Sequence, residues 1–271
     1  MELCLNQATI MQCDTEEFIK VSARAGFKWL ELRIPKVEEF LIKRPARELA
    51  QIMRSAGVRV ATLNALEFFS LVPEENYKFM EKKAEEAAVL CQLLDCEWMI
   101  AVPSRKNACY TGERAVAETT AARLAILAEI AERYGIKVLF EFIGFPDFSV
   151  TDLNTAAAIA DMVKKHEIKL VIDTFHYYVG GTRLDDLLAT AADRLGIIHV
   201  NDLPDVPFAR LNDGMRLLPG EGRADLSQIQ AGLKKIGFGG RVSLELFNEE
   251  LWRATPQEAA DLSWRSMQQF A

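Results

Sequence analysis

The sequence predicts an α/β fold, a (β/α)8 TIM barrel built as a single domain over residues 1–271, and three observations predict it. Eight short apolar runs alternate with longer stretches of helical period, the pattern of parallel strands joined by helical crossovers. Glycine recurs at one stage of several units, just after a helix and before the next strand. In the second half, four apolar runs end in a side chain able to bind a metal: Val138–Glu141, Leu170–Asp173, Ile197–His199 and Val242–Glu245.

Taken in order, the first strand spans Glu2–Asn6 and feeds a helix over Thr15–Ala25, stopped by Gly26. The second strand, Trp29–Arg33, leads to a helix over Ala46–Ala56 with its stop at Gly57. Val58–Leu63 is followed by Glu75–Leu94, where the run Glu81-Lys82-Lys83-Ala84-Glu85-Glu86 reads as a solvated helix face and Cys91 as a packing residue. Trp98–Val102 precedes a helix over Glu113–Tyr134, closed by Gly135. Lys137–Phe142 precedes Thr151–Lys165, with His166 at a helix end where a cation favours the dipole, hence a surface residue. Lys169–Asp173 pairs with Leu184–Ala192, Gly196–His199 with Leu226–Lys235 before Gly237, and Arg241–Leu246 with Pro256–Gln269. A doubly wound open sheet is the main alternative, but no Gly-x-Gly-x-x-Gly follows the first strand.

Composition narrows the class of protein. Hydrophobic residues at 50% and charged residues at 26% describe a folded chain with a large core. With 32 Lys+Arg against 39 Asp+Glu, the formal charge of -7 gives no electrostatic reason to expect nucleic acid or an anionic membrane as partner. Cys4, Cys13, Cys91, Cys96 and Cys109 are odd in number and form no CxxC pair, which predicts reduced thiols and a cytoplasmic location. The start Met1-Glu2-Leu3-Cys4-Leu5-Asn6 does not read as a signal segment, and no run approaches the ~18 apolar residues of a membrane span.

A carboxylate or imidazole after a buried apolar run must be paired, protonated or metal-bound, since an unpaired buried charge costs several kcal/mol or more. Alone, each carboxylate reads equally well as a helix cap or loop ion pair, and His199 as a core histidine beside Ile197 and Ile198. In a barrel, however, Glu141, Asp173, His199 and Glu245 fall at the carboxyl ends of strands five to eight, on the face where active sites form. Three oxygen donors and one imidazole predict one divalent metal ion, Mn2+, Zn2+, Co2+ or Mg2+.

Other motifs carry a family resemblance. Asn6-Gln7-Ala8-Thr9, Asn64-Ala65-Leu66, Ala101-Val102-Pro103, Phe140-Glu141-Phe142, Asp173-Thr174-Phe175-His176, His199-Val200-Asn201-Asp202, Pro219-Gly220-Glu221-Gly222 and Ser243-Leu244-Glu245-Leu246-Phe247 together resemble the inosose isomerases of inositol catabolism. Those belong to the xylose-isomerase-like barrels, with ketose 3-epimerases and hydroxypyruvate isomerases, and the resemblance runs from residue 1 to about residue 255. It implies a single divalent metal on the same four residues, Glu141, Asp173, His199 and Glu245. It also implies a ketone that shifts by proton transfer through an enediolate, with Glu141 and Glu245 as catalytic acid and base. The implied partner is a small-molecule polyol or ketose, without nucleic acid or membrane, and the reading is compatible with a homodimer.

Four further residues are read as substrate-binding: His176 on the loop above strand six, Asp202 after strand seven, and Arg216 and Glu221 on the loop that resembles the family's substrate side. Capping and internal ion pairs compete with that reading for Asp202, Arg216 and Glu221. Phe68, Phe69 and Trp252 lie beyond strand ends and read equally well as pocket wall or lid packing. Asp147 stands where some ketose epimerases carry a substrate-binding glutamate, and the shorter side chain weakens a simple epimerase assignment. Strand-end motifs lack a dense Lys/Arg cluster, which disfavours a sugar phosphate. Repair endonucleases on this barrel use many histidines where this chain has 3, and dehydroshikimate dehydratases carry a histidine where it has Ile143.

Overall fold

The structure, a computed structural model, describes residues 1–107 and 112–271; Cys109 lies outside the described residues. The strands are β1 (Glu2–Asn6), β2 (Trp29–Arg33), β3 (Arg59–Leu66), β4 (Trp98–Ala101), β5 (Lys137–Glu141), β6 (Ile168–Asp173), β7 (Leu195–Val200) and β8 (Arg241–Leu244). Each pairs in parallel with its sequence neighbour, and β8 returns to β1, so the sheet closes in chain order. Closure removes the two edges an open sheet would leave, and the barrel expectation holds.

Around the ring lie α1 (Thr15–Ala25), α2 (Ile34–Leu41), α3 (Ala46–Ala56), α4 (Glu74–Leu93), α5 (Glu113–Glu132), α6 (Leu153–Met162), α7 (Thr174–Val179), α8 (Leu184–Ala189), α9 (Leu226–Lys235) and α10 (Pro256–Met267). Their starts are set locally. Asp14, Asp152 and Asp225 accept from the backbone N–H three residues on, satisfying donors that a helix leaves orphaned. Thr255 and Glu258 form a reciprocal capping box at α10. At the other end, Gly57 (φ 68°) sits in the left-handed conformation after α3 and donates to carbonyls of the last turn.

Two helices were not anticipated. Helix α2 starts at Ile34 directly after β2, with Pro35 in its first turn, and α7 starts directly after Asp173, whose carboxylate caps it. Helix α6 stops at Met162, three residues short of the sequence reading, and β3 runs on to Leu66.

The main core fills the space between strands and helices. A smaller one, inside the barrel, contains Cys4, Trp29, Ala61, Ile100, Leu139, Val171 and Ile197. Strand side chains repeat every two residues, so the next inward layer toward the carboxyl ends is found two positions on. From Cys4, Trp29, Leu139, Val171 and Ile197 that step reaches Asn6, Glu31, Glu141, Asp173 and His199, all buried. The polar layer thus rests on an apolar plug.

Candidate metal centre and cavity

Glu141 and Asp173 are the last residues of β5 and β6, His199 is the penultimate residue of β7, and Glu245 follows β8. One donor atom from each of the four lies within 4.8 Å of the others, so the group can hold one metal ion. Neighbouring strands bring them together, with Asp173 and His199 directly paired in register.

The partners of the four differ. Glu245 Oε1 accepts from Asn6 Nδ2 at 2.9 Å and Asn64 Nδ2 at 3.2 Å, while Oε2 accepts from Arg216 Nη1 at 2.9 Å. Asp173 Oδ2 accepts from Arg216 Nη1 at 2.9 Å and Asn201 Nδ2 at 2.7 Å; Oδ1 accepts from the His176 N–H at 2.9 Å. Glu141 meets His199 Nδ1 at 3.2 Å, and that nitrogen also lies 3.3 Å from Glu245 Oε2. The other ring nitrogen, Nε2, is 3.2 Å from Glu31.

These contacts set the electrostatics. Burial pushes the Glu141 carboxyl up; His199 opposes this while Glu245 and Asp173 add to it, and the group rises to about 7. Burial also acts to raise Glu245, but His199 and Arg216 outweigh it and hold that carboxyl well below the usual range. At His199 burial favours the neutral ring, yet the carboxylates of Glu245, Glu31 and Glu141 prevail and push the imidazole far up. Burial lowers His176, and Arg216 adds to the effect. Arg216 pairs with Asp173 and Glu245, and His199 sits among Glu31, Glu141 and Glu245, so with the imidazole neutral the ionised carboxylates outnumber the one guanidinium. The donor set therefore fits a divalent cation, in charge as well as in ligand type.

A cavity of about 310 Å3 opens above the layer, and Glu141, Glu245, His176 and Arg216 line it, while Asp173 and His199 lie outside its lining. Arg216 is buried at 2% exposure and donates to Asp213 Oδ1 at 2.8 Å and to His176 Nε2 at 3.1 Å, besides the two ligand carboxylates. Its Nη1 thus sits between two carboxylates of the candidate ligand group.

Asp202 and Glu221 are placed elsewhere than the sequence reading expected. The Asp202 carboxylate accepts from the N–H groups of Leu203, Gly220, Gly222 and Ala224 and is outside the cavity lining, a brace for the loop. Glu221, after the left-handed Gly220, is exposed and also outside it.

Of the aromatic residues considered, Phe68 lines the cavity, Phe69 is buried against Phe140, and Trp252 donates to the Ala8 carbonyl. Asp147 pairs with Arg105. Arg33 and Arg105 also line the cavity, a cationic content that the strand-end motifs did not reveal. Each is matched, Arg33 by Glu67 and Arg105 by Asp147. Glu31 and Asp213 also contact the site, through His199 and Arg216, and Asn6, Asn64 and Asn201 donate to its carboxylates; none of the five is among the sequence candidates. The signal for Glu31 was present: a carboxylate between Leu30 and Leu32 in a buried strand. Asp213 sits in a loop with no periodicity to place it.

Fold and site together define a class: a (β/α)8 barrel with three carboxylates and one histidine arranged to hold a metal at its strand carboxyl ends. The xylose isomerase-like TIM barrel family matches residues 19–269, and the chain belongs to that family. It is 30% identical to the inosose isomerase of Bacillus velezensis over 260 residues, covering 95% of this chain and 92% of that one. A crystal structure of IOLI protein with a binding zinc atom superimposes with a TM-score of 0.95 at 28% identity, covering 100% of this chain and 98% of that one. A more partial likeness, 28% over 137 residues, covers 50% of this chain and 41% of the D-psicose 3-epimerase of Enterocloster bolteae.

Proposed function

We propose that this protein is a divalent-metal-dependent isomerase that moves the ketone of 2-keto-myo-inositol to a neighbouring ring carbon. The observation that carries the reading is the pair of glutamates from the ligand group that also line the cavity, one loosely and one tightly held. The full-length likeness to inosose isomerases supplies the substrate class. Glu141, Asp173, His199 and Glu245 would hold the metal, which when bound supplies Lewis-acid stabilisation of negative charge on the substrate oxygens.

The residues of the chain then have distinct tasks. Glu141 takes the proton from the carbon beside the ketone, and the electron pair moves into the carbon–carbon bond to give an enediolate. A proton passes between the two oxygens, and a glutamate returns a proton to the former carbonyl carbon. Glu245, held by Asn6, Asn64 and Arg216, stays ionised beside these steps. Arg216 and His176 orient the substrate oxygens from the cavity wall. The matched arginines leave little unbalanced positive charge for a phosphate, which suits an uncharged polyol. The buried, unpaired Cys4, Cys13, Cys91 and Cys96 agree with a reducing cytoplasm; no helix among the described residues is long and apolar enough to cross a membrane.

The test is NMR of the metal-loaded protein with 2-keto-myo-inositol in deuterated water. The expected result is isomerised product with deuterium at the former carbonyl carbon, next to the shifted ketone. Absence of both product and exchange would sink the assignment. Ketose epimerisation is the second reading, favoured by the partial likeness to D-psicose 3-epimerase. It gives inversion at a carbon with the ketone unmoved, so D-psicose in the same assay separates the two.

A further inference from the structure

The four metal ligands leave one buried carboxylate without a task. Glu31 is fully buried on β2, and its side chain reaches across the barrel interior to His199 on β7. His199 Nε2 lies 3.2 Å from Glu31 Oε1 and 3.3 Å from Oε2. Glu31 is itself held in place. Asn6 Nδ2 donates to Oε1 at 3.2 Å and Thr62 Oγ1 to Oε2 at 2.5 Å, from the positions that pair with Glu31 on β1 and β3.

We infer that Glu31 is a positioning residue for the metal centre, accepting from His199 Nε2–H and so leaving the Nδ1 lone pair aimed at the ion. An imidazole that ligates a metal through one nitrogen keeps its single ring proton on the other, and a carboxylate acceptor at Nε2 holds it there. Nδ1 is the nitrogen that faces Glu141 Oε1 at 3.2 Å and Glu245 Oε2 at 3.3 Å, the place where the ligand atoms converge. Holding the far side of a ligating histidine fixes its ring orientation and strengthens it as a donor. Asn6 ties Glu31 to the ligand group, since its amide donates both to Glu31 and to Glu245. The inference rests on the assignment of His199 as a metal ligand and is independent of the substrate.

Zinc alone is the probe. Titration of the metal-free protein against a competing chelator is expected to show Glu31→Gln weakening zinc affinity about 10- to 100-fold. In a His199→Ala background the same change should alter affinity less than about twofold, because Glu31 acts through that ring. An equal loss in both backgrounds, or no loss in either, overturns the inference. If His199→Ala alone leaves affinity unchanged, the ligand assignment itself has failed. A second measurement needs no variant: 15N NMR of the zinc-loaded wild-type protein should show His199 with Nε2 protonated and Nδ1 bound. Nε2 bound and Nδ1 protonated overturns the inference even if the Glu31 variant does not fold.

Discussion

Glu141 and Glu245 are the same residue type at the edge of one cavity, and their neighbours make them different acids. Glu245 accepts three hydrogen bonds from Asn6, Asn64 and Arg216, whereas Glu141 meets His199. Replacing Glu141 with Gln should lower kcat by roughly 100- to 10,000-fold, the usual worth of a general acid or base. Steady-state kinetics with metal content measured on the same samples checks this; a near-normal rate in metal-replete protein removes that residue from the role. Arg216 lies at the centre of Asp173, Glu245, Asp213 and His176. Arg216→Ala leaves buried carboxylates without their partner and should destabilise the metal-free protein by about 3–5 kcal/mol, read from urea unfolding. Neither Arg216's burial nor its contact with the ligands was visible in the sequence, since Arg216 sits 43 positions from Asp173 and 29 from Glu245.

At the level of elements, single residues join strand ends to the loops above them. Asp173 closes β6, caps α7 and is a member of the ligand group, so one carboxylate fixes the entry of the helix that carries His176. The spacing Asp-Thr-Phe-His is that of a cap and the third helical residue, legible in the sequence as either a cap or a ligand; the structure shows the cap and places the same carboxylate in the group able to hold a metal. Asp202 plays the bracing part after β7. Asp202→Ala would strip four backbone N–H groups of their acceptor and should cost about 2–4 kcal/mol, with the 217–224 loop becoming protease-sensitive. Intact stability and an uncut loop would contradict this. On the outer face, Glu16 of α1 accepts from Lys20 and Arg44, and these bonds lower its pKa. Its folded value lies below its unfolded value, so the contribution is present above about pH 4.5 and is lost as pH falls through the folded value. The group is largely solvated, so the effect is at most ~1 kcal/mol, and Glu16→Gln should flatten the acid limb of a stability–pH curve slightly.

At the scale of the whole molecule, the centre draws one ligand from each of four consecutive strands, β5 to β8 counted to the residue after β8. An unfolded chain does not bring residues 141 and 245 together, so a metal that binds the folded state stabilises the barrel as a unit. Zinc at about 100 times its Kd should raise stability by ~2.7 kcal/mol, seen as a higher Tm in calorimetry and reversed by a chelator. An unchanged Tm would show that the four side chains do not act as a metal centre.

The sequence by itself determined the barrel, its strand order and the four converging side chains that could hold a metal, because apolar runs, helix stops and buried carboxylates leave local marks. It left α2 and α7 unseen, since a proline helix start and a cap provided by a ligand do not announce themselves by period. Only the tertiary structure decided which residues face the cavity and which brace it. Asp202 turned into its own loop, Arg216 joined the ligands, and Glu31 met His199 across the barrel interior. Those outcomes depend on contacts between residues far apart in the chain, and ring closure sets these distances where local spacing cannot.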